Sequence, residues 1–431
     1  MRTSALIDNM RQGVDSSWAR RLLGVFEYVI AAIFVIQCNT VWMTIEPFRG
    51  SINTVLLIVL FDCTLCCMIL SGAVFSKKRI SVATAGVALV FLCLIGLIFV
   101  HRMNHSVFWH FLTCLLVLLL YYLMCCDGGV PAVLIKYGRI VTAVAGYSLV
   151  MWLFCSVLGL ISPTGVVMTS WNDTAFLDAP INSYLGIYFE TQSRAVFGTE
   201  MVRNSAIFTE GPMASLHFSL ALLIEALLKE KSDKRVALLL TVAILSTMST
   251  TGYLVILFVF LVKLVAYLGS KGWLTKRVLW VAVSVASVVG VAALAVILKE
   301  KLETVSGSIR FDDMRAGVLA FLDHPIVGNG FNNLPAIQRH MSSWRFYNVG
   351  FSSGLLWILS DGGLWLGLVH LLPMLWAAVA GVRQKDVGVS LFAASVFVIF
   401  LITVFQYSLL LSFILVFLAN YQNPLLKKEK A

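Results

Sequence analysis

Charge is scarce in this chain. Of its 431 residues only 13% are Asp, Glu, Lys or Arg, against 59% hydrophobic residues, whereas a soluble globule carries about a quarter charged and about half apolar. That balance excludes a soluble domain, and the long apolar runs instead describe a polytopic helical membrane protein. Cysteine is missing from everything after position 155. All nine (38, 63, 66, 67, 93, 114, 125, 126, 155) fall within or at the ends of apolar segments, so a disulfide framework in the polar loops further on is excluded. Cys63, Cys66 and Cys67 have a metal-like spacing, but they lie in an apolar helix with no histidine close in sequence, and core packing is the reading adopted for them. Internal repeats and low-complexity tracts are also lacking. No cleavable signal peptide is expected, because residues 1–21 are polar and the first apolar run is long enough to span and stay.

The net charge of +10 would point to nucleic acid in a soluble protein. Here the bases sit in short clusters between apolar runs, where they set topology, and no nucleic-acid partner is expected. Apolar windows predict spanning helices near 22–45, 52–75, 80–100, 106–124, 138–162, 206–228, 236–249, 251–268, 278–298, 353–380, 388–404 and 407–422. The pairs within 236–268 and 387–422 are cramped, and each can instead be one tilted or broken helix. With both termini inside, 21 of the 32 lysines and arginines face the cytoplasm and ten face outward, with Lys263 near a helix end. The richer side belongs inside. The expected architecture is one all-α integral membrane domain over 1–431 with two long extracytoplasmic loops, 163–205 and 299–352.

Those loops hold Arg194, Arg203, Arg310, Arg315, Arg339 and Arg345. Eight of the ten outward bases are arginine while the inner set is mostly lysine. Topology needs only charge, so an arginine bias points to forked hydrogen bonding with an anionic, phosphate-bearing substrate. The first loop ends in Arg203-Asn-Ser-Ala-Ile-Phe-Thr-Glu210-Gly-Pro212, directly before a span. Pro212 suits a first helical turn, which puts Glu210 at the positive pole of that helix, either as a general base or as a cap. In the second loop Arg310 and Arg315 would stand about 140° apart on a helix, flanking a site, or would pair with Asp312 and Asp313. His324, before Pro325, can relay a proton or shape a turn, and Gly328 and Gly330 read as a turn before a phosphate cradle. Arg339, His340 and Arg345 come with Trp344, Phe346 and Tyr347, a mixture that suits sugar recognition and also burial at a bilayer interface. Glu27, Asp62 and Asp361 are ionisable groups inside predicted spans and therefore functional candidates, with Asp361-Gly362-Gly363 able to break its helix.

These pieces resemble the bacterial O-antigen and capsule polysaccharide polymerase family (Wzy) within the O-antigen ligase and polymerase superfamily. The resemblance is carried by Arg203 to Pro212 ahead of a helix, by Ser246-Thr-Met-Ser-Thr-Thr-Gly252-Tyr253, by Arg310 in Ser-Ile-Arg, by His324-Pro-Ile-Val-Gly-Asn-Gly330, and by Asp361-Gly-Gly before an apolar helix. Residues 1–160 match in hydropathy alone. The resemblance implies a fold similar to the C-type membrane glycosyltransferases and a metal-independent, inverting transfer, without cofactor, between undecaprenyl-pyrophosphate-linked oligosaccharides on the periplasmic side of the inner membrane. It further implies pyrophosphate binding by Arg203 and Arg310, then by Arg315, Arg339 and Arg345, with Arg194 and Tyr347 also substrate-binding. Glu210 and His324 compete as base, and a chain-length regulator is an implied partner. The alternatives are an O-antigen ligase, with nearly the same architecture and a lipid A core acceptor, and a lipid-linked oligosaccharide flippase. A flippase favours charges lining the membrane interior over arginine-rich loops.

Overall fold

The computed structural model describes residues 17–45, 51–99, 105–169, 179–196, 198–270, 305–345 and 350–426. In chain order the helices are α1 (Ser17–Gln37), α2 (Ile52–Leu70), α3 (Lys77–Ile95), α4 (His105–Cys125), α5 (Ala132–Met151), α6 (Gly211–Leu223), α7 (Lys234–Ser246), α8 (Thr250–Ser270), α9 (Val305–Asp323), α10 (Leu334–Gln338), α11 (Gly354–Arg383), α12 (Val387–Ile402) and α13 (Leu409–Ala419). Seven of the described helical stretches are long and apolar enough to cross a membrane: those containing α2, α3, α4, α5, α6, α8 and α11. Eleven of the twelve predicted spans coincide with a described helix, and 278–298 lies outside the described residues. The remaining four miss the span criterion for simple reasons. α1 carries Arg20, Arg21 and Glu27, while α7, α12 and α13 are short.

Both cramped pairs are pairs of helices. Met248, with φ of 51°, turns the chain between α7 and α8, and a turn at residues 403–408 separates α12 from α13. α6 runs from Gly211, against the Thr247 carbonyl, to the segment beside Lys229, and α7 returns. Being apolar all round, α6 is buried all round, as such a helix must be. Its His217 lies between the Tyr137 hydroxyl (2.8 Å) and the Cys38 carbonyl (3.0 Å) and stacks on Phe208, so it is a satisfied core histidine.

The loops sort into two ends. At one, Thr209 N–H donates to the Asn39 carbonyl and Gly354 N–H to that of Thr403, which gathers Arg203, Gly211, Thr247 and the start of α11. At the other, Arg79 pairs with Asp127 and donates to the Met124 and Cys126 carbonyls, while Gln422 N–H reaches Gly128 O. Among the described residues, Lys77, Lys229, Lys234 and Lys385 lie at this second end, where the Tyr421 hydroxyl donates to Asp386, Gly388 closes on Leu227 and Asp233 N–H donates to Glu225.

The first long loop holds short strands that sequence periodicity did not announce. β1 (Gly165–Thr169), β2 (Ala179–Tyr184) and β3 (Tyr188–Glu190) form an antiparallel sheet in that order, and β4 (Ser193–Val196) pairs antiparallel with β5 (Thr199–Val202). The second long loop holds α9 and α10, so Arg310 and Arg315 are on a helix as expected.

α11 is broken where Asp361-Gly-Gly allowed it. Gly362 and Gly363 leave helical geometry, Gly363 at φ 57°. The carbonyls and amides so released are taken up by the 324–330 segment. Asn329 N–H donates to Ser360 O (2.8 Å) and Gly330 N–H to Asp361 O (3.0 Å), while Leu364 and Trp365 N–H donate to Pro325 and Ile326 O. The Asp361 carboxylate accepts from Asn332 N–H (2.7 Å), Asn333 N–H (3.1 Å) and the Tyr407 hydroxyl. Gly328, at φ +75°, packs so closely that a Cβ would strike the Asp361 carbonyl. The His-Pro-Ile-Val-Gly-Asn-Gly and Asp-Gly-Gly motifs are thus one structural unit, and the turn reading of Gly328 and Gly330 is the one the structure adopts. Gly328→Ala is expected to destabilise the protein by on the order of 2 kcal/mol or more. Gly269→Ala, in open space, should change stability by less than about 0.5 kcal/mol; thermal midpoints of the detergent-solubilised variants measure both.

Candidate functional site

Arg203 follows β5 and lies across the start of α6. Its Nε donates to the Thr247 carbonyl (2.8 Å), one terminal nitrogen to the Gln192 side-chain oxygen (3.2 Å) and the other to the Met248 carbonyl (3.5 Å). Gly211 makes this possible, because a Cβ there would fall 2.7 Å from Nε of Arg203. Arg194, on β4, donates to the same Met248 carbonyl (3.0 Å). Left-handed Met248 therefore presents its oxygen to two guanidinium groups, which explains why the Ser-Thr-Met-Ser-Thr-Thr-Gly stretch belongs beside Arg203.

Glu210 occupies the N-cap position of α6, with Pro212 in the first turn, but its carboxylate makes no capping bond. It accepts instead from the Gln192 side-chain amide (3.2 Å), so Gln192 bridges Arg203 and Glu210. Burial lowers the pKa of half-buried Arg203. Glu210 opposes that shift, while the positive charges of Arg194 and Arg310 add to it. Arg310, more than a hundred residues further on, lies within electrostatic reach of Arg203 as the weakest of these influences. Arg194 and Arg203 converge on the Met248 carbonyl, and Glu210 joins Arg203 through Gln192, so positive charge exceeds negative here. Beneath the turn an apolar groove of about 170 Å³ runs between α8 and α12, from Thr251 past Phe258 and Ile399.

The other candidates part company with this group. Arg345 is 1% exposed and pairs with Asp313, itself 1% exposed, with Asp312 at 3.5 Å; it also donates to the Ile309 and Gly350 carbonyls. Its role is to hold the second loop together. Burial raises the pKa of Asp313 against the hydrogen bonds from Ser352 and Arg345. In Asp312 the same burial is outweighed by two hydrogen bonds from Ser342 together with Arg345 and Arg315, and its pKa falls. Arg315 turns to Asp312 (3.7 Å) and the Ser342 hydroxyl (3.5 Å), so it does not face Arg310 across a site. Arg339 and His340 both meet Asp323 (2.5 and 2.6 Å), and Arg339 reaches the Asn329 side chain (3.0 Å). His324 is exposed just past the end of α9, 14 residues from Arg310 and so about 20 Å along the helix axis. Glu210 stands beside Arg203 through Gln192, and His324 lies near Arg339 and Asp323. Tyr347 and Phe346 lie outside the described residues, as does Trp171.

Sequence reasoning passed over Gln192, Gly211 and Met248. A lone glutamine and a methionine carry no chemical signal; Gly211, between Glu210 and Pro212, did. Among the described residues no group of three or more His, Cys, Asp or Glu is placed to hold a metal ion. Comparison with known proteins finds no family model and no curated protein that matches the chain.

Arg345→Ala leaves the buried Asp313 carboxylate uncompensated and should cost on the order of 3–5 kcal/mol. Arg315→Ala, at a side chain 55% exposed, should leave the thermal midpoint nearly unchanged. Equal midpoints for the two variants would refute the structural role given to Arg345.

Proposed function

We propose that this protein is a polysaccharide polymerase. It joins undecaprenyl-pyrophosphate-linked oligosaccharide repeat units into O-antigen or capsular polysaccharide at the periplasmic face of a bacterial inner membrane. The proposal includes a bundle of about twelve spans, similar to the C-type membrane glycosyltransferases, with both termini in the cytoplasm. The observation that carries it is the convergence of Arg194 and Arg203 on the Thr247–Met248 turn beside Glu210, with Arg310 in electrostatic reach. A pyrophosphate leaving group needs fixed positive charge where negative charge develops, and the cluster has that excess. The apolar groove starting at Thr251, three residues from Met248, offers an apolar surface for one or two isoprene units of a polyprenyl chain beside it.

In this reading a hydroxyl at the non-reducing end of an incoming repeat unit attacks the anomeric carbon of the growing chain. The new glycosidic bond forms on the face opposite the leaving group, and the bond from the anomeric carbon to the pyrophosphate oxygen breaks. Undecaprenyl pyrophosphate departs with the electron pair, held by Arg203, Arg310 and Arg194. The hydroxyl proton passes to the Glu210 carboxylate, which Gln192 orients. A chain-length regulator is a further proposed partner.

Deleting the gene in its host should remove the long-chain polysaccharide ladder and leave a single repeat unit on lipid A core. Polymer retained on undecaprenyl pyrophosphate, with no attached repeats, would mean a ligase. Restoring the gene with Arg203→Ala or Arg310→Ala should give normal membrane levels and no ladder, a loss of at least about 100-fold. Glu210→Gln should cut the polymerisation rate by about 100-fold or more while lipid-linked donor still binds. Near wild-type polymer from both arginine variants would sink the site.

A further inference from the structure

The helix α9 wears its apolar residues on the wrong side for water. Phe311 (65% exposed), Met314 (41%), Val318 (43%) and Leu322 (59%) face away from the protein. At 100° per residue they fall within an arc of about 80°. The opposite side buries Asp313, Ala316 and Ala320, and Gly317 lets that side close on Leu356 and Phe351 next to α11. A loop helix bathed by water would keep an apolar ridge inward and a polar face outward. This one is apolar outward, with Arg310 along one flank and Arg315 along the other, while Asp312, 4% exposed, turns inward.

The ridge does not stop at the helix end. Ile326 (67% exposed) follows it, and the Ile326 carbonyl accepts from Trp365 N–H at the break in α11. There the exposed apolar surface passes directly into Leu364, Trp365 and Leu368 (51%, 47% and 49%), which lie on a helix long and apolar enough to span. The ridge of the loop helix thus meets the outward apolar side of a span through Ile326, past the exposed turn of residues 323–325. Exposed patches of that extent mark a membrane or partner surface, and continuity with the span selects the bilayer. Arg315 fits the same setting. Its stem lies beside the ridge, while its guanidinium reaches back towards the helix N-terminus, to Asp312 and Ser342, as a snorkelling side chain does.

We infer that α9 is an interfacial helix: it rests on the bilayer at the arginine-bearing end, with the Phe311–Leu322 ridge among lipid acyl chains and its charged flanks at headgroup level. The segment is then a membrane-binding surface and no longer a loop in aqueous space. Arg310, on a flank of that helix, is held at the level of lipid headgroups. This conclusion stands on the exposed ridge and its continuity with α11, and does not depend on the reaction proposed above.

The test is a spin label on Val318→Cys and Leu322→Cys in lipid nanodiscs, with Leu368→Cys as the lipid reference and Ser343→Cys as the aqueous one. The signal of the unsubstituted protein, with its native thiols, is subtracted. Collision with oxygen should exceed collision with a water-soluble nickel chelate by the same factor, within about twofold, at 318, 322 and 368, and the order should reverse at 343. Labels at 318 and 322 that behave like 343 would overturn the inference. So would labels shielded from both reagents, which would mean that protein, another segment or a second copy, covers the ridge. If the substituted chains fail to fold, the unsubstituted protein is irradiated in nanodiscs containing a phospholipid with a photoreactive acyl chain. Adducts on the peptide spanning 311–327 support the inference, and adducts confined to the spans refute it.

Discussion

Backbone groups at hydrocarbon depth must find protein partners, because no water is there to serve them. The break in α11 is the point where this constraint shapes the molecule. Unwinding at Gly362 and Gly363 is tolerated because the 324–330 segment lays its own amides and carbonyls into the gap, and because the Asp361 carboxylate gathers Asn332, Asn333 and Tyr407. The part of the second loop from Pro325 to Asn333 hangs from that junction. It fixes the end of α9, hence the direction of the helix and the place of Arg310. A mid-helix glycine pair, ordinarily a weakness, becomes here the socket for a distant loop.

Arginine serves three ends in one short region. In Arg345 the guanidinium is a structural tie with Asp313. Arg315 and Arg339 meet carboxylates at partly exposed positions, where pairing adds little. Arg194 and Arg203 are tied mainly to neutral oxygens of the Thr247–Met248 turn and Gln192. Identical residue types in one loop pair therefore differ in what they can offer an anion, and counter-ion geometry is what separates them.

The helices were legible because an apolar run of sufficient length has few other fates, and even the break at Asp361-Gly-Gly showed in the glycines. The arginines at one end were legible through the asymmetry of basic residues. What could not be read was pairing across the chain. Asp312 and Asp313 were possible partners of Arg310 and Arg315; the buried tie of Asp313 goes to Arg345, more than thirty residues away, a choice made by tertiary packing. The β-strands of the first loop escaped notice because they are three to six residues long and lack clean alternation. His324 and Glu210 looked equivalent as bases until the length of α9 separated them.

The turn at Met248 has one more implication. Guanidinium groups bonded to carbonyl dipoles keep their full charge, whereas those facing carboxylates are neutralised. Arg194 and Arg203 therefore share the Met248 carbonyl with their mutual repulsion only partly relieved by Glu210. That repulsion is overcome when the chain folds, and on the proposed reading an anion settling beside them would release it. The grip of such a site would be drawn from stored folding energy, already oriented before any ligand arrives.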